Sequence, residues 1–249
     1  MGISLKQAFI FVPQDKNWVS KVLIGGLLLF FPVFAFIFPG IKRMIFDPIN
    51  YYMVTMYSLL VLVCLLAISG YFFKVVHNRI VHENGRMPSW KFIAYFIHIG
   101  FKSYVGGFIF SIPFLAVMGL LLFLSPLTFN GVSAALLIVG AVLYVIYTAM
   151  YIMLALNFAI DFKISSFFNI KKAFALIQHN LINYVILVCE CILVSLCMLI
   201  LSVLLVNGQI LGLLLPFVSF YICLVFADLF AQFALGMGNE IYKEANCYL

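Results

Sequence analysis

The chain has 249 residues, of which 66% are hydrophobic and 9% charged, with a formal net charge of +6. Soluble domains carry roughly 25% charged residues, and they must cover their surface with polar groups. This composition excludes a soluble enzyme, a secreted disulfide scaffold and a disordered tail, and it points to a polytopic helical membrane protein.

A bilayer core about 30 Å thick needs about 20 apolar residues per helix. Six runs qualify, near 22–39, 52–73, 103–125, 132–160, 184–206 and 210–236. The expected fold class is therefore all-α, a single transmembrane domain over 1–249. Pro32, Pro113 and Pro216 fall inside spans, where neighbouring helices can satisfy the carbonyls they free. The first run begins only near Val22 and has no small-x-small exit, so it reads as a retained span and not a cleaved signal.

Basic residues in the connections set orientation. Lys6, Lys16 and Lys21 precede span one. Lys74, Arg79, Arg86, Lys91 and Lys102 follow span two, Lys163, Lys171 and Lys172 follow span four, and Lys243 lies in the tail. Only Lys42 and Arg43 fall on the other side. The expectation is a multi-pass cell-membrane protein with both termini in the cytoplasm. Its basic loops would meet anionic lipid head groups. Nucleic acid is not an expected partner.

An internal repeat is legible. Lys21-x3-Gly25-Gly26-x5-Pro32 recurs as Lys102-x3-Gly106-Gly107-x5-Pro113, 81 residues on. The same offset relates Lys91 to Lys172 and His98 to His179. The reading is three pseudo-repeats, about 1–80, 81–161 and 162–249, each an amphipathic segment (4–18, 88–101, 165–181) followed by a helix hairpin. The Gly-Gly pairs suit close helix packing, since small residues let backbones approach. Amphipathic segments of this kind lie in the membrane interface or cap the bundle.

Several patterns then come together: Phe11-x-Pro13-x-Asp15-x-x-Trp18, Gly25-Gly26, Gly70-Tyr71, Met87-Pro88-x-Trp90 and Gly100. Together they resemble the bacterial and archaeal membrane family known as domain of unknown function 4013. The family commonly carries acids around the second tryptophan, where this chain has Ser89 and Lys91. The resemblance implies a multi-spanning membrane protein and no particular activity.

Ionisable groups inside spans are the chief candidates for function, because they are costly in lipid. Glu190 and Asp228 lie in spans five and six, 18 and 20 residues from the turn at Gly208. At about 1.5 Å per residue, both are about 27–30 Å from that turn. Two carboxylates at one depth could share a proton or hold a cation. Alternatively, each snorkels to the interface or pairs with Lys171, Lys172 or Lys102. His98 and His179 hold matching repeat positions, either as a polar pair at one cytoplasmic cavity or as separate interfacial residues. His77 and His82 are five apart and miss the spacing of helical metal pairs, so Glu83 could join them only by bending the loop. Asn157 could hydrogen-bond across helices, and Asp161 would terminate span four. Cys189 and Cys191 point about 200° apart on a helix, which argues against chelation. Trp18, Tyr51, Tyr52, Trp90 and Tyr104 fit an aromatic belt.

No nucleophile elbow, Walker loop, dinucleotide fingerprint or HExxH is present. No cofactor or metal is expected. Two readings stand. One is a non-enzymatic membrane component that helps move or handle a small lipid-like or amphipathic molecule. The other is a structural subunit packing against another membrane protein or a second copy, with Gly-Gly faces and Phe-rich surfaces as docking sites. A membrane-embedded enzyme is a weaker third.

Overall fold

The computed structural model describes residues 3–37, 51–81, 86–124, 130–207 and 211–236. Within these, the chain is all-helical. In chain order the helices are α1 (Leu5–Gln14), α2 (Trp18–Ile37), α3 (Tyr51–Val81), α4 (Ile93–Leu124), α5 (Asn130–Asp161), α6 (Ile170–His179), α7 (Leu181–Asn207) and α8 (Leu215–Gly236). Short 3-10 turns at Trp90–Phe92, Ile164–Phe168 and Leu211–Leu214 lead into α4, α6 and α8. Among the described residues, five helices are long and apolar enough to cross a membrane, namely α3, α4, α5, α7 and α8. The apolar helix at Trp18–Pro32 is shorter. Lys42, Arg43, His82, Glu83, Lys243 and Cys247 lie outside the described residues.

Two elements differ from the sequence expectation. α3 does not stop near 73 but runs on through Val81. At 31 residues it is about 46 Å long, more than a bilayer core requires. The expected amphipathic segment at 88–101 is not separate, because α4 is one helix from Ile93 to Leu124. The only glycine before residue 106, Gly100, packs directly on another backbone and so does not break it. The other two segments do end. Asp15, Lys16 and Asn17 separate α1 from α2, and Asn180 separates α6 from α7.

The chain forms two compact units, one of 1–101 with 180–249 and one of 102–179. In the first, α8 packs with α1, α2, α3 and α7. Its core sits along one half of α3. Residues from Cys64 to Ile80 are largely buried, whereas Tyr51 and Tyr52 are exposed. At the centre, Gly70 of α3 meets the Phe96 carbonyl of α4, and Gly100 of α4 meets the Leu66 carbonyl of α3. Backbone thus touches backbone, as small residues permit in membrane helix pairs.

In the second unit, α5 ends at Asp161 with Phe162 in the left-handed region at φ 53°. The Asp161 carboxylate accepts the Lys163 amide at 2.9 Å and the Ser166 hydroxyl at 2.6 Å. That bonding folds the chain into the 3-10 turn at Ile164–Phe168. Asn169 then caps α6, its Oδ1 accepting the Lys172 amide at 3.2 Å, the usual N-cap arrangement.

Candidate functional site

The polar groups of the first unit gather in two clusters at the α1 end of its bundle. The first joins α1, α2 and the stretch before α4. Asp15 ends α1, and its carboxylate accepts the Asn17 amide at 2.9 Å, the Lys21 ammonium at 2.8 Å and the Met87 amide at 3.1 Å. Lys21 also donates to the Met87 carbonyl at 2.7 Å. Burial alone would raise the Asp15 pKa. The hydrogen bonds from Lys21, Asn17 and Met87, with the Lys21 charge, outweigh it and hold the carboxyl below its ordinary value.

The same stretch is fastened by rings. Trp90 donates its indole N–H to the Lys21 carbonyl at 3.1 Å, and Tyr71 donates its hydroxyl to the Pro88 carbonyl at 2.9 Å. The two rings stack at 4.1 Å and 10°. Phe96 and Phe220 close around them. Trp90 is therefore buried in the bundle and is not the surface anchor expected from an aromatic belt. Its N–H is satisfied internally, so it needs no interfacial water. Trp18 is half-buried, with its ring edge-on to Tyr221 at 6.4 Å.

The second cluster holds the intramembrane acids. Asp228 is fully buried on α8. Its Oδ1 accepts the Arg79 Nε–H at 2.7 Å, and its Oδ2 accepts the Gln232 amide at 2.7 Å. The Arg79 guanidinium also lies over the Phe11 ring, 4.7 Å from its centroid. Gln232 Oε1 accepts the Ser4 amide at 2.8 Å. One residue on, the Leu5 amide donates to Glu190 Oε1 at 3.3 Å. Ser4 gives α1 no side-chain cap, so its first amides are satisfied from α7 and α8 instead, with a carboxylate at the positive helix end. Glu190 Oε2 is buried without a hydrogen-bond partner among the described residues.

Glu190 thus meets the Leu5 amide directly, and Asp228 reaches the adjacent Ser4 amide through Gln232. The cationic partner of Asp228 is Arg79. The extension of α3 to Val81 carries Arg79 on a helix face and not in a connection. Ser4, Asp15 and Gln232 had drawn no functional expectation. The only local sign of Asp15 was its place in the Pro13-x-Asp15 motif.

The Gly-Gly pairs are filled from within the chain. A side chain at Gly25 or Gly26 would overlap the Phe220 or Phe217 ring. In the second unit, one at Gly106 would overlap Phe167, and one at Gly107 would meet the Tyr151 hydroxyl at 2.8 Å. Both pairs accept aromatic side chains, so neither presents an open docking face. Pro32 and Pro113 lie within continuous α2 and α4. Tyr57 donates to the Phe31 carbonyl at 2.7 Å, and Ser111 to that of Gly107 at 2.7 Å.

His98 is exposed in the first unit, and His179 ends α6 in the second. His77 is buried on α3. Asn157 is buried on α5, with both amide atoms lacking a hydrogen-bond partner among the described residues. Among the described residues, no group of three or more His, Cys, Asp or Glu side chains is placed to hold a metal ion.

No curated protein and no solved structure matches the chain. The family described as "Protein of unknown function (DUF4013)" matches residues 53–207, more than half of it. That stretch contains Gly70, Tyr71, Met87, Pro88, Trp90 and Gly100, the motifs of the Tyr71–Trp90 stack and the α3–α4 contact. It begins after Asp15, Trp18 and the Gly25-Gly26 pair, and it runs through α7 to Asn207. By the extent of this match, the chain is a multi-spanning membrane protein belonging to the DUF4013 family.

Proposed function

We propose that this chain is a non-enzymatic membrane protein that handles a small lipid-like or amphipathic molecule, with Glu190 receiving its polar head. One observation carries the reading. Glu190 Oε2 is a buried carboxylate oxygen without a hydrogen-bond partner among the described residues, and a buried polar atom left unpaired is costly. Ile186, Leu193 and Cys197 stand four residues before and three and seven after it, on the same helix face. All three are exposed. A head that donates a hydrogen bond, a hydroxyl or an amine, would satisfy Oε2 while its apolar tail follows that face of α7.

In this reading the helix beginning at Trp18 is the first of six spans. The basic residues of the connections favour a cell-membrane protein with both termini in the cytoplasm. The three pseudo-repeats supply the framework, supported by the similar filling of Gly25-Gly26 and Gly106-Gly107.

Glu190→Gln tests the proposal, because glutamine keeps an acceptor for the Leu5 amide but removes the charge. A hydrogen bond to a charged group contributes about 1.5–3 kcal/mol, so retention of the bound amphipath should fall by about tenfold or more. Native mass spectrometry of the protein released from mild detergent would count it. Equal retention by wild type and variant, at equal thermal stability, would refute the site.

A second reading, a subunit that packs on another membrane protein or on a second copy, draws on Gly119. A side chain there would meet nothing within 4 Å among the described residues, and Leu115 and Leu120 beside it are exposed. A partner helix could approach closely at that point. Crosslinking from Gly119→Cys in native membranes would report such a neighbour.

A further inference from the structure

We infer that α6, with the 3-10 turn before it, is a docking surface for anionic lipid. The inference concerns the second unit only and does not depend on Glu190.

The turn and helix are fixed on one side. Phe167 is fully buried, with its ring 5.2 Å from Phe158 and 6.1 Å from Tyr151. Ala173, in the second turn of α6, is also fully buried. The large apolar side chains next to them face outward. Phe168 is 47% exposed, Ile170 49% and Phe174 53%. At about 100° per residue, Ile170 and Phe174 lie roughly 60–100° around the helix from buried Ala173. Lys171, which is exposed, lies roughly 60–100° further on. One flank is thus seated on the protein, the next is aromatic and aliphatic, and the next is cationic. A helix lying in a membrane interface has this order, its apolar flank toward the acyl boundary and its lysines toward the head groups.

The charge of the unit identifies the head groups. Residues 102–179 contain Lys102, Lys163, Lys171 and Lys172 against a single acid, Asp161. That carboxylate is already bonded to Ser166 and to the Lys163 amide. Lys171 borders the apolar flank of α6, whereas Lys172 lies about 100° around from Ala173 on its other side. Each basic residue near a membrane surface strengthens its attraction to anionic lipid by about fivefold. An acidic membrane surface therefore fits both the apolar flank and the charge.

The test uses the full-length chain in nanodiscs, with Phe174→Trp as the probe and the unmodified protein, which has Trp18 and Trp90, as background. Tryptophan quenching is compared between nanodiscs carrying brominated phosphatidylglycerol and nanodiscs carrying brominated phosphatidylcholine. The added tryptophan should be quenched at least about threefold more strongly by the anionic lipid. Lys171→Gln/Lys172→Gln in the same background should abolish that preference while leaving quenching by the zwitterionic lipid. Equal quenching by the two lipids would overturn the inference, because the surface would then touch lipid without selecting charge. Absence of quenching by either would also overturn it, as expected if another protein covers the helix.

Discussion

Arg79 and Asp228, 149 residues apart in sequence, form an ion pair between α3 and α8, with Nε 2.7 Å from Oδ1. Asp228 is wholly buried there, and its second oxygen is held by Gln232. Through Gln232 the pair reaches the Ser4 amide, and through Arg79 it reaches Phe11. It therefore helps seat α1 on the bundle.

Removing one partner of a buried pair strands the other charge. Arg79→Met should destabilise the protein by about 3 kcal/mol, seen as an earlier thermal unfolding transition in detergent. Arg79→Met/Asp228→Leu should recover most of that loss, because neither side then buries an unpaired charge. A single variant as stable as wild type would show that the pair does not hold the helices.

The glycines at the α3–α4 crossing tolerate no side chain. At Gly70 and Gly100 an added Cβ would run into the Phe96 and Leu66 carbonyls, which are backbone and cannot turn aside. Gly70→Ala and Gly100→Ala should each cost about 1–3 kcal/mol or more, by forcing the helices apart. Gly119→Ala should be neutral or stabilising by up to about 1 kcal/mol, as it trades a poor helix former for a good one in open space. Size-exclusion profiles after heating would rank the three.

Trp90 separates packing from hydrogen bonding. Trp90→Phe retains a ring against Tyr71 but loses the N–H donated to Lys21, at a cost of about 0.5–1.5 kcal/mol plus some lost contact area. Trp90→Ala empties the centre of the Tyr71, Phe96 and Phe220 cluster, at a cost of about 3–5 kcal/mol. Similar losses from both variants would mean that the stack contributes little.

The Asp15–Lys21–Met87 clasp should be acid-sensitive. The Asp15 carboxyl is held below its ordinary value of 3.8, so its contribution to stability is fully present above that pH. It is lost as pH falls through the lower folded-state value. Wild type should lose stability relative to Asp15→Asn as the medium is acidified through that window, and the two should differ by a constant amount above it. An identical pH profile for both proteins would remove Asp15 from the clasp.

Hydropathy is a local property of the chain, so the spans from α3 onward, the basic connections and the apolar setting of Glu190 and Asp228 were all legible in the sequence. At the start of α1, Glu190 meets the Leu5 amide and Asp228 reaches the Ser4 amide only through Gln232. Their partners were not legible. Arg79 comes to Asp228 from 149 positions away, and the Ser4 amide comes to its helix neighbour Gln232 from 228 positions away, separations that no spacing rule links. The Gly-Gly pairs announced close packing, but only the fold shows that Phe220, Phe217, Phe167 and Tyr151 fill them. Trp90 looked interfacial because it borders an apolar run, yet a long-range stack on Tyr71 and a bond to Lys21 bury it. Composition and periodicity determined which segments are helices and which of them suit a membrane, because each helix satisfies its own backbone bonds. Tertiary structure alone decided which polar groups meet, because that depends on how the helices cross.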